Sequence, residues 1–197
     1  MLSPLDPART AVLGMDFQRA IVHIYVKEQE AFLESVAGVL AGARSAGMLV
    51  IHVRVGFRPG LPEVSSRTPL FAAVKGSEQH QKLFVGPTGE IHPALAPQDK
   101  DIVVVKHRVS AFTGTDLELV LRANDIDTLV LMGIATSGVV LSTALHATDA
   151  DYRVIVVKDC CADLDPEVHA CLVEKVFPRQ ATVLTAAEVL EAIGARS

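Results

Sequence analysis

The sequence predicts an α/β fold with three layers, α/β/α, in which helices cover both faces of a six-stranded parallel, Rossmann-like sheet. Runs that are apolar throughout alternate with stretches of helical periodicity along the whole chain. Strands that are buried on both faces of a parallel sheet form such continuous apolar runs, because helices exclude water from each side. The chain has 197 residues, and no linker or internal repeat divides it. We therefore expect one domain over residues 1–197.

Six apolar runs are the predicted strands. They cover residues 11–16, 48–55, 101–106, 127–133, 152–159 and 181–185. Helical periodicity predicts helices over residues 27–47, 115–124 and 138–149, from Pro166 onward, and over 186–194. Each predicted helix separates two predicted strands or follows the last one, as parallel pairing requires.

Local signals mark two of these helices. The first helix places its apolar residues on one face, and Gly47 is suited to end it. These apolar residues are Phe32, Val36, Val39, Leu40 and Ala43. Thr115 and Glu118 have the spacing of a capping box, which predicts the start of the next helix.

Composition excludes several classes of partner. The net charge is −5 and basic residues form no cluster, whereas nucleic-acid binding requires surfaces rich in Lys and Arg. The first ten residues lack the charged and apolar regions of a signal peptide, so we expect a cytoplasmic protein. The uncharged stretch 128–148 contains Gly, Ser, Thr and His, which favours a buried strand running into a helix over a membrane span.

The three cysteines are Cys160, Cys161 and Cys171. Their spacing matches no zinc motif, and free thiols are usual in a cytoplasmic protein. Cys160 and Cys161 follow the fifth predicted strand, where burial in the core is the favoured interpretation.

Residues 56–100 interrupt the alternation of strands and helices. The segment is rich in proline and mixes glycine, histidine and charged residues. Long irregular segments in compact domains are often binding loops or lids. We expect residues 56–93 to roof a ligand cleft, of the same or a neighbouring subunit, with Phe57, Phe71 and Phe84 as apolar wall residues.

Chemistry-bearing side chains stand at the ends of the predicted strands, and ligands of open α/β sheets bind beyond the carboxyl ends. Asp16 ends the first strand and Lys106 ends the third, so they could form an acid–base pair. A helix opening near Ser137 would present N–H groups to a developing oxyanion. The alternative is a structural ion pair, with Ser137 as a helix cap. His52, Arg54 and His107 are better explained by packing or solvation.

Three stretches, in order along the chain, resemble the isochorismatase-like (cysteine hydrolase) superfamily. They are "AVLGMDFQ", "VVVKHRVSAFTGTDLELVLRA" and "DTLVLMGIATSGVVLSTALHATDADYRVIVVKDCCA". The resemblance implies the strand order 3-2-1-4-5-6 and assigns catalytic roles to Asp16 and Lys106. It also implies a non-proline cis peptide at Ile134–Ala135. The superfamily's nucleophilic cysteine falls at Val139.

Valine at position 139 has no nucleophilic atom, so the thioester route of the amidases in this superfamily is closed. Isochorismatases also lack that cysteine; they hydrolyse a vinyl ether with the aspartate as proton donor and form no covalent intermediate. Their glutamine after the second strand corresponds to Val55, so isochorismate itself is not predicted as the substrate. HVRVGFRPG, residues 52–60, does not reproduce the metal ligands of nicotinamidases, and we expect no metal or cofactor.

The resulting hypothesis is a hydrolase of a small organic molecule, with Asp16 as general acid or base and Lys106 as its electrostatic partner. The predicted substrate contacts are Gln18, Phe57, Ile134, Ala135, Ser137 and Gly138. Relatives commonly form oligomers, which implies a homodimer or homotetramer. Two alternatives stay open: a non-catalytic binder of small molecules that keeps the pocket, and an interaction protein with a vestigial pocket.

Overall fold

Six parallel strands form one sheet in the computed structural model, which describes residues 4–194. The strands are β1 (Thr10–Met15), β2 (Leu49–Val55), β3 (Ile102–Lys106), β4 (Thr128–Ile134), β5 (Arg153–Ala162) and β6 (Thr182–Leu184). Their order is β3-β2-β1-β4-β5-β6 and every pair is parallel. The predicted fold class and strand order are confirmed. Residues 1–3 and 195–197, at the ends of the predicted domain, lie outside the described residues.

Helices cover both faces of the sheet. They are α1 (Arg19–Tyr25), α2 (Gln29–Ala46), α3 (Pro69–Gly76), α4 (Glu78–Lys82), α5 (Leu117–Ala123), α6 (Leu141–Asp149), α7 (Pro166–Cys171) and α8 (Ala186–Gly194). One buried apolar cluster joins α1, α2 and α8 to the sheet, and a second joins α5 and α6 to its other face. The two clusters explain why the central strands are apolar throughout.

The apolar face of α2 packs on the sheet as its periodicity predicts. Leu33 is buried with the predicted core residues, and Phe32 lies half-buried at the edge, where its ring meets Phe17 edge-on at 6.0 Å. Gly47 follows the helix with a φ of 79°, and its N–H donates to the carbonyls of Ala43 and Arg44. The predicted glycine stop is therefore confirmed.

The capping box predicted at the start of α5 is wrong. Helix α5 begins at Leu117, and the Thr115 hydroxyl donates to the carbonyl of Ala111 at 2.7 Å. Glu118 instead pairs with Arg122 one turn later, at 2.7 Å. The segment 111–116 turns back on itself before the helix starts, so the Thr115 hydroxyl donates within that turn and accepts a longer bond, 3.3 Å, from the Leu117 N–H.

Strand β5 ends three residues later than predicted, at Ala162. Its pairing with β4 shifts register between Leu131 and Gly133, and the strand then continues to Ala162. This irregularity exposes Lys158 and Asp159 and returns Cys160 and Cys161 to the interior. Charged residues inside an apolar run concealed the continuation, because a bulge changes which face each residue occupies.

The segment between β2 and β3 is not as irregular as its composition suggested. It contains α3 and α4. Pro69 begins α3, and the side chain of Ser77 caps α4 by accepting from the N–H of His80. Helices this short contain too few turns to show a helical periodicity in the sequence, so the sequence did not predict them.

No helix among residues 4–194 is long and apolar enough to cross a membrane. The uncharged stretch that resembled a span, residues 128–148, contains β4, a turn and most of α6.

Candidate active site

Asp16 and Lys106 meet at the carboxyl edge of the sheet. Lys106 is the last residue of β3 and Asp16 directly follows β1, so the pair reaches across the end of β2. The Lys106 ammonium donates to Asp16 Oδ2 at 2.8 Å, and both side chains are buried. Asp16 has a φ of 59°, a left-handed conformation that Asp and Asn tolerate better than most residues. Its N–H donates to the Val53 carbonyl at 2.8 Å, which fixes the turn.

The two carboxylate oxygens of Asp16 have different surroundings. Oδ2 accepts from Lys106, whereas Oδ1 is buried and has no hydrogen-bond partner among residues 4–194. Burial raises the pKa of this carboxyl, and the charge and hydrogen bond of Lys106, with a smaller contribution from the nearby Val55 N–H, oppose the rise. Because an ammonium can only donate, a proton on Asp16 is placed on Oδ1. The site therefore offers an O–H donor that no protein group accepts.

The loop after β4 forms the second wall of the site. The Ile134–Ala135 peptide is cis, as the resemblance implied, and one π-helical turn over Thr136–Val140 leads into α6. The Ser137 N–H donates to Asp163 Oδ2 at 2.7 Å, and the N–H groups of Gly138 and Val140 donate to the carbonyl of Ala135. Three N–H groups that we expected to be free for an oxyanion already have acceptors.

Val139 lies in the wall of a cleft of about 400 Å³ that also contains Asp16 and Lys106. Five of the six predicted substrate contacts line the same cleft. They are Phe57 after β2 and, at the end of β4 and in the loop after it, Ile134, Ala135, Ser137 and Gly138. Valine at 139 is 2% exposed and belongs to the apolar core beneath the loop. The cleft wall is thus apolar where the superfamily places a thiolate.

The segment after β2 roofs this cleft. Phe57, Phe71 and Phe84 all line it, together with Leu70 and Leu83. The rings of Phe57 and Phe84 meet edge-to-face at 5.4 Å with an interplanar angle of 87°. Aromatic walls of this kind stabilise the apolar part of a small ligand. The roof is formed by the same chain that carries Asp16 and Lys106.

Gln18 lies outside the cleft lining, which corrects its predicted role as a substrate contact. Its side chain is fully buried and bonds only to backbone. The amide nitrogen donates to the carbonyls of Val55 and Gly89 at 3.0 and 2.7 Å, and Oε1 accepts from the Val55 N–H at 2.9 Å. Gln18 therefore joins the ends of β1 and β2 to the roof segment, and acts on the site through the backbone.

Sequence reasoning missed three residues at this site. Arg108 and Tyr25 line the cleft, and the carboxylate of Asp163 holds the loop at Ser137. Asp163 was hidden by the early predicted end of β5. Next to it, the hydroxyl of buried Thr136 lies 2.8 Å from His169 Nδ1. Burial lowers the pKa of His169, with Asp163 opposing the shift.

A larger open depression of about 850 Å³ lies at the opposite, amino edge of the sheet. Its buried charges are already paired, since Asp101 accepts from Arg44 at 2.6 Å and lies 3.1 Å from His52 Nε2. Burial lowers the pKa of His52. This edge has paired charges and no catalytic arrangement, so the smaller cleft at the carboxyl edge is the candidate site.

The buried cysteines differ from Cys171 in expected reactivity. Burial raises the pKa of Cys161 to about 12 and raises that of Cys160 as well, whereas Cys171 is exposed. Thiolate is the reactive form, so iodoacetamide at pH 8 should modify Cys171 alone in the folded protein. Peptide mapping by mass spectrometry checks this. Rapid modification of Cys160 or Cys161 in the native state would contradict their burial.

Comparison with known proteins places the fold and the cleft in a family. The family model described as the isochorismatase domain matches residues 10–188. The chain belongs to the isochorismatase family. This isochorismatase-family protein is 32% identical over 191 residues to YecD of Escherichia coli O157:H7, named as an isochorismatase family protein; the match covers 96% of this chain and 98% of YecD.

Two further proteins extend the comparison. Maleamate amidohydrolase of Pseudomonas putida is 29% identical over 192 residues, which cover 93% of this chain and 86% of the relative. The structure of an isochorismatase family protein from Burkholderia thailandensis superposes with a TM-score of 0.85 at 30% identity, covering 98% of this chain and all of that one. The similarity spans the sheet, the roof segment and the candidate site.

Proposed function

We propose that this isochorismatase-family protein hydrolyses a small organic molecule without a covalent enzyme intermediate. Asp16 is the general acid and Lys106 its electrostatic partner. The observation that carries the proposal is the asymmetry of Asp16, a residue of the cleft wall, whose Oδ2 is bound by Lys106 while Oδ1 is buried and unpartnered. Family membership supports hydrolysis of small molecules.

A vinyl ether is the bond type that suits such an acid. Oδ1–H donates its proton to the terminal alkene carbon, and the positive charge moves to the carbon that bears the ether oxygen. Water adds to that carbon and returns a proton to the Asp16 carboxylate. The hemiketal then breaks its carbon–oxygen bond, which releases a carbonyl compound and an alcohol. Asp16 supplies and regains one proton, as a general acid and then a base does.

Burial and charge prepare Asp16 for this role. A carboxyl with an ordinary pKa would be ionised at neutral pH and could donate no proton. Burial raises the pKa of Asp16, in part through apolar neighbours such as Val139 and Phe57 in the same cleft. The Lys106 ammonium stabilises the carboxylate that forms when the proton leaves. The pair thus supports both the donation and the return of the proton.

Direct hydrolysis of an amide is the second candidate, because the relative from Pseudomonas putida is named for that activity. In this version ionised Asp16 takes a proton from water, which attacks the carbonyl carbon, and Asp16 then gives that proton to the nitrogen as the carbon–nitrogen bond breaks and the amine leaves. The raised pKa of Asp16 favours the first candidate over this one. A non-catalytic binder that keeps the pocket and an interaction protein with a vestigial pocket are the remaining alternatives.

A substrate panel tests the proposal. Purified protein is assayed with isochorismate, simple vinyl ethers, maleamate and nicotinamide, each before and after iodoacetamide treatment. We expect turnover of a vinyl ether, unchanged after alkylation, because no cysteine lies in the cleft wall. Turnover of amides alone would favour the second candidate. Binding without turnover of any compound would leave the protein a binder and contradict the proposal.

A further inference from the structure

Arg108 is a cation of the cleft wall that the proposed reaction does not use. Its guanidinium carbon lies 5.1 Å from the centre of the Phe71 ring in α3, and one terminal nitrogen donates to the His107 carbonyl at 2.6 Å. These two contacts fix the plane of the guanidinium against the roof. Within residues 4–194, no carboxylate lies within 4.0 Å of it. The remaining N–H donors stay available at the cleft.

The charges of the cleft wall do not cancel. Its charged side chains are Asp16, Lys106 and Arg108, and Lys106 is paired with Asp16. Among these lining residues one positive charge is left over, and a second appears when Asp16 carries a proton. The carboxylate of Asp163, which does not line the cleft, accepts from the Ser137 N–H. The excess is local, since the whole chain has a net charge of −5. A half-buried cation without a counterion favours an anionic ligand.

We propose that Arg108 binds a carboxylate of the substrate and that the protein therefore selects small organic acids. This inference rests on the proposed function only in taking the same cleft as the substrate site. A guanidinium presents two parallel N–H donors that match the two oxygens of a carboxylate. The bond to the His107 carbonyl uses one nitrogen of the guanidinium, and its other N–H donors remain for the ligand.

Arg108 and Asp16 line the same cleft, and one residue contacts both. The Lys106 ammonium donates to Asp16 Oδ2 at 2.8 Å and to the backbone carbonyl of Arg108 at 3.1 Å. The cleft holds about 400 Å³, with Phe57 and Phe84 in its wall. A cleft of this size fits a short organic acid.

Binding of matched acid and uncharged probes tests this assignment. Calorimetric titration compares maleamate with maleamide, and isochorismate with its methyl esters, on the wild type and on Arg108→Gln. The wild type should bind at least one acid more tightly than its uncharged counterpart. Arg108→Gln should lose about 10–100-fold in affinity for that acid, the scale of a charged hydrogen bond, with little change for the uncharged probe.

Two further variants separate the possible explanations. Arg67→Gln removes an exposed arginine of the roof segment, and Arg67 does not line the cleft. This variant should bind each probe like the wild type. Arg108→Lys keeps the charge without the paired donors and should recover only part of the affinity. An unchanged preference for acids in Arg108→Gln, or no preference in the wild type, would overturn the assignment.

The binding test of Arg108 and the turnover test of the proposed reaction can fail independently of each other. If acid binding depends on Arg108 but no compound is hydrolysed, the carboxylate assignment stands and the hydrolase proposal fails. If turnover depends on Asp16 but Arg108→Gln keeps the preference for acids, the reaction stands and the assignment of Arg108 fails.

Discussion

Replacing Asp16 with Asn should reduce turnover by about 10²–10⁴-fold, the usual scale for losing a general acid. The substitution removes the proton that Oδ1 would donate, and an amide cannot replace it at neutral pH. Its amide oxygen can still accept from Lys106, and Asn tolerates the left-handed backbone at this position, where φ is 59°. Steady-state kinetics on the substrate identified by the panel measures the loss.

The matched control is Asp151→Asn. Asp151 also has a positive φ, 63°, but is exposed and does not line the cleft. This variant should keep full turnover, which separates the chemistry of Asp16 from the general effect of the substitution. Full activity in Asp16→Asn would remove Asp16 from the reaction.

The pH profile of the wild type has a predicted sign. Asp16 donates a proton, so turnover should be highest below its folded pKa and fall as the pH rises through that value, which burial has raised. The same shift affects folding. The folded state holds this proton more tightly than the unfolded chain, so the stabilisation is complete below the unfolded pKa and is lost as the pH rises through the folded one.

Replacing Lys106 with Met should lower the free energy of unfolding by about 3–5 kcal/mol at pH 8, because it leaves the buried Asp16 carboxylate without a partner. The cost should shrink at pH 5, where a larger fraction of Asp16 is protonated and neutral. Urea denaturation monitored by circular dichroism at both pH values measures the difference.

The double variant Asp16→Asn/Lys106→Met serves as the control for that prediction. With both charges removed, its stability should return to near the wild-type value or exceed it, since neutral replacements of buried ion pairs are often tolerated. A double variant as unstable as Lys106→Met would mean that packing of the lysine stem, and not charge, explains the loss. The stable but inactive double variant would also show that the pair is kept for function.

The sheet was predictable because two independent features of the sequence indicate its strands. The strands are apolar throughout, and stretches of helical periodicity alternate with them. Strands β1 to β4 end within one residue of their predicted positions, and those ends place Asp16, Lys106 and the loop after β4 at one edge. The ends of parallel strands come together whatever the side chains are, so the candidate site followed from the strand ends alone.

Features that depend on tertiary contact were not predictable. The bulge in β5 arises where β4 and β5 lose register, and it moves Asp163 next to the loop at Ser137. Gln18 is buried by backbone groups that are 37 and 71 residues away along the chain. Arg108 acquires its position from Phe71 in the roof. Each of these contacts joins segments that no local pattern relates.

In the proposed reaction water attacks the substrate directly, with no bond between substrate and protein. Intact-protein mass spectrometry of samples quenched during steady-state turnover, in water labelled with heavy oxygen, detects any such bond. Product should accumulate while the protein keeps its unmodified mass and no label enters Asp16. A substrate adduct on Cys160, Cys161 or any other residue, or heavy oxygen in the Asp16 carboxylate, would contradict direct attack by water.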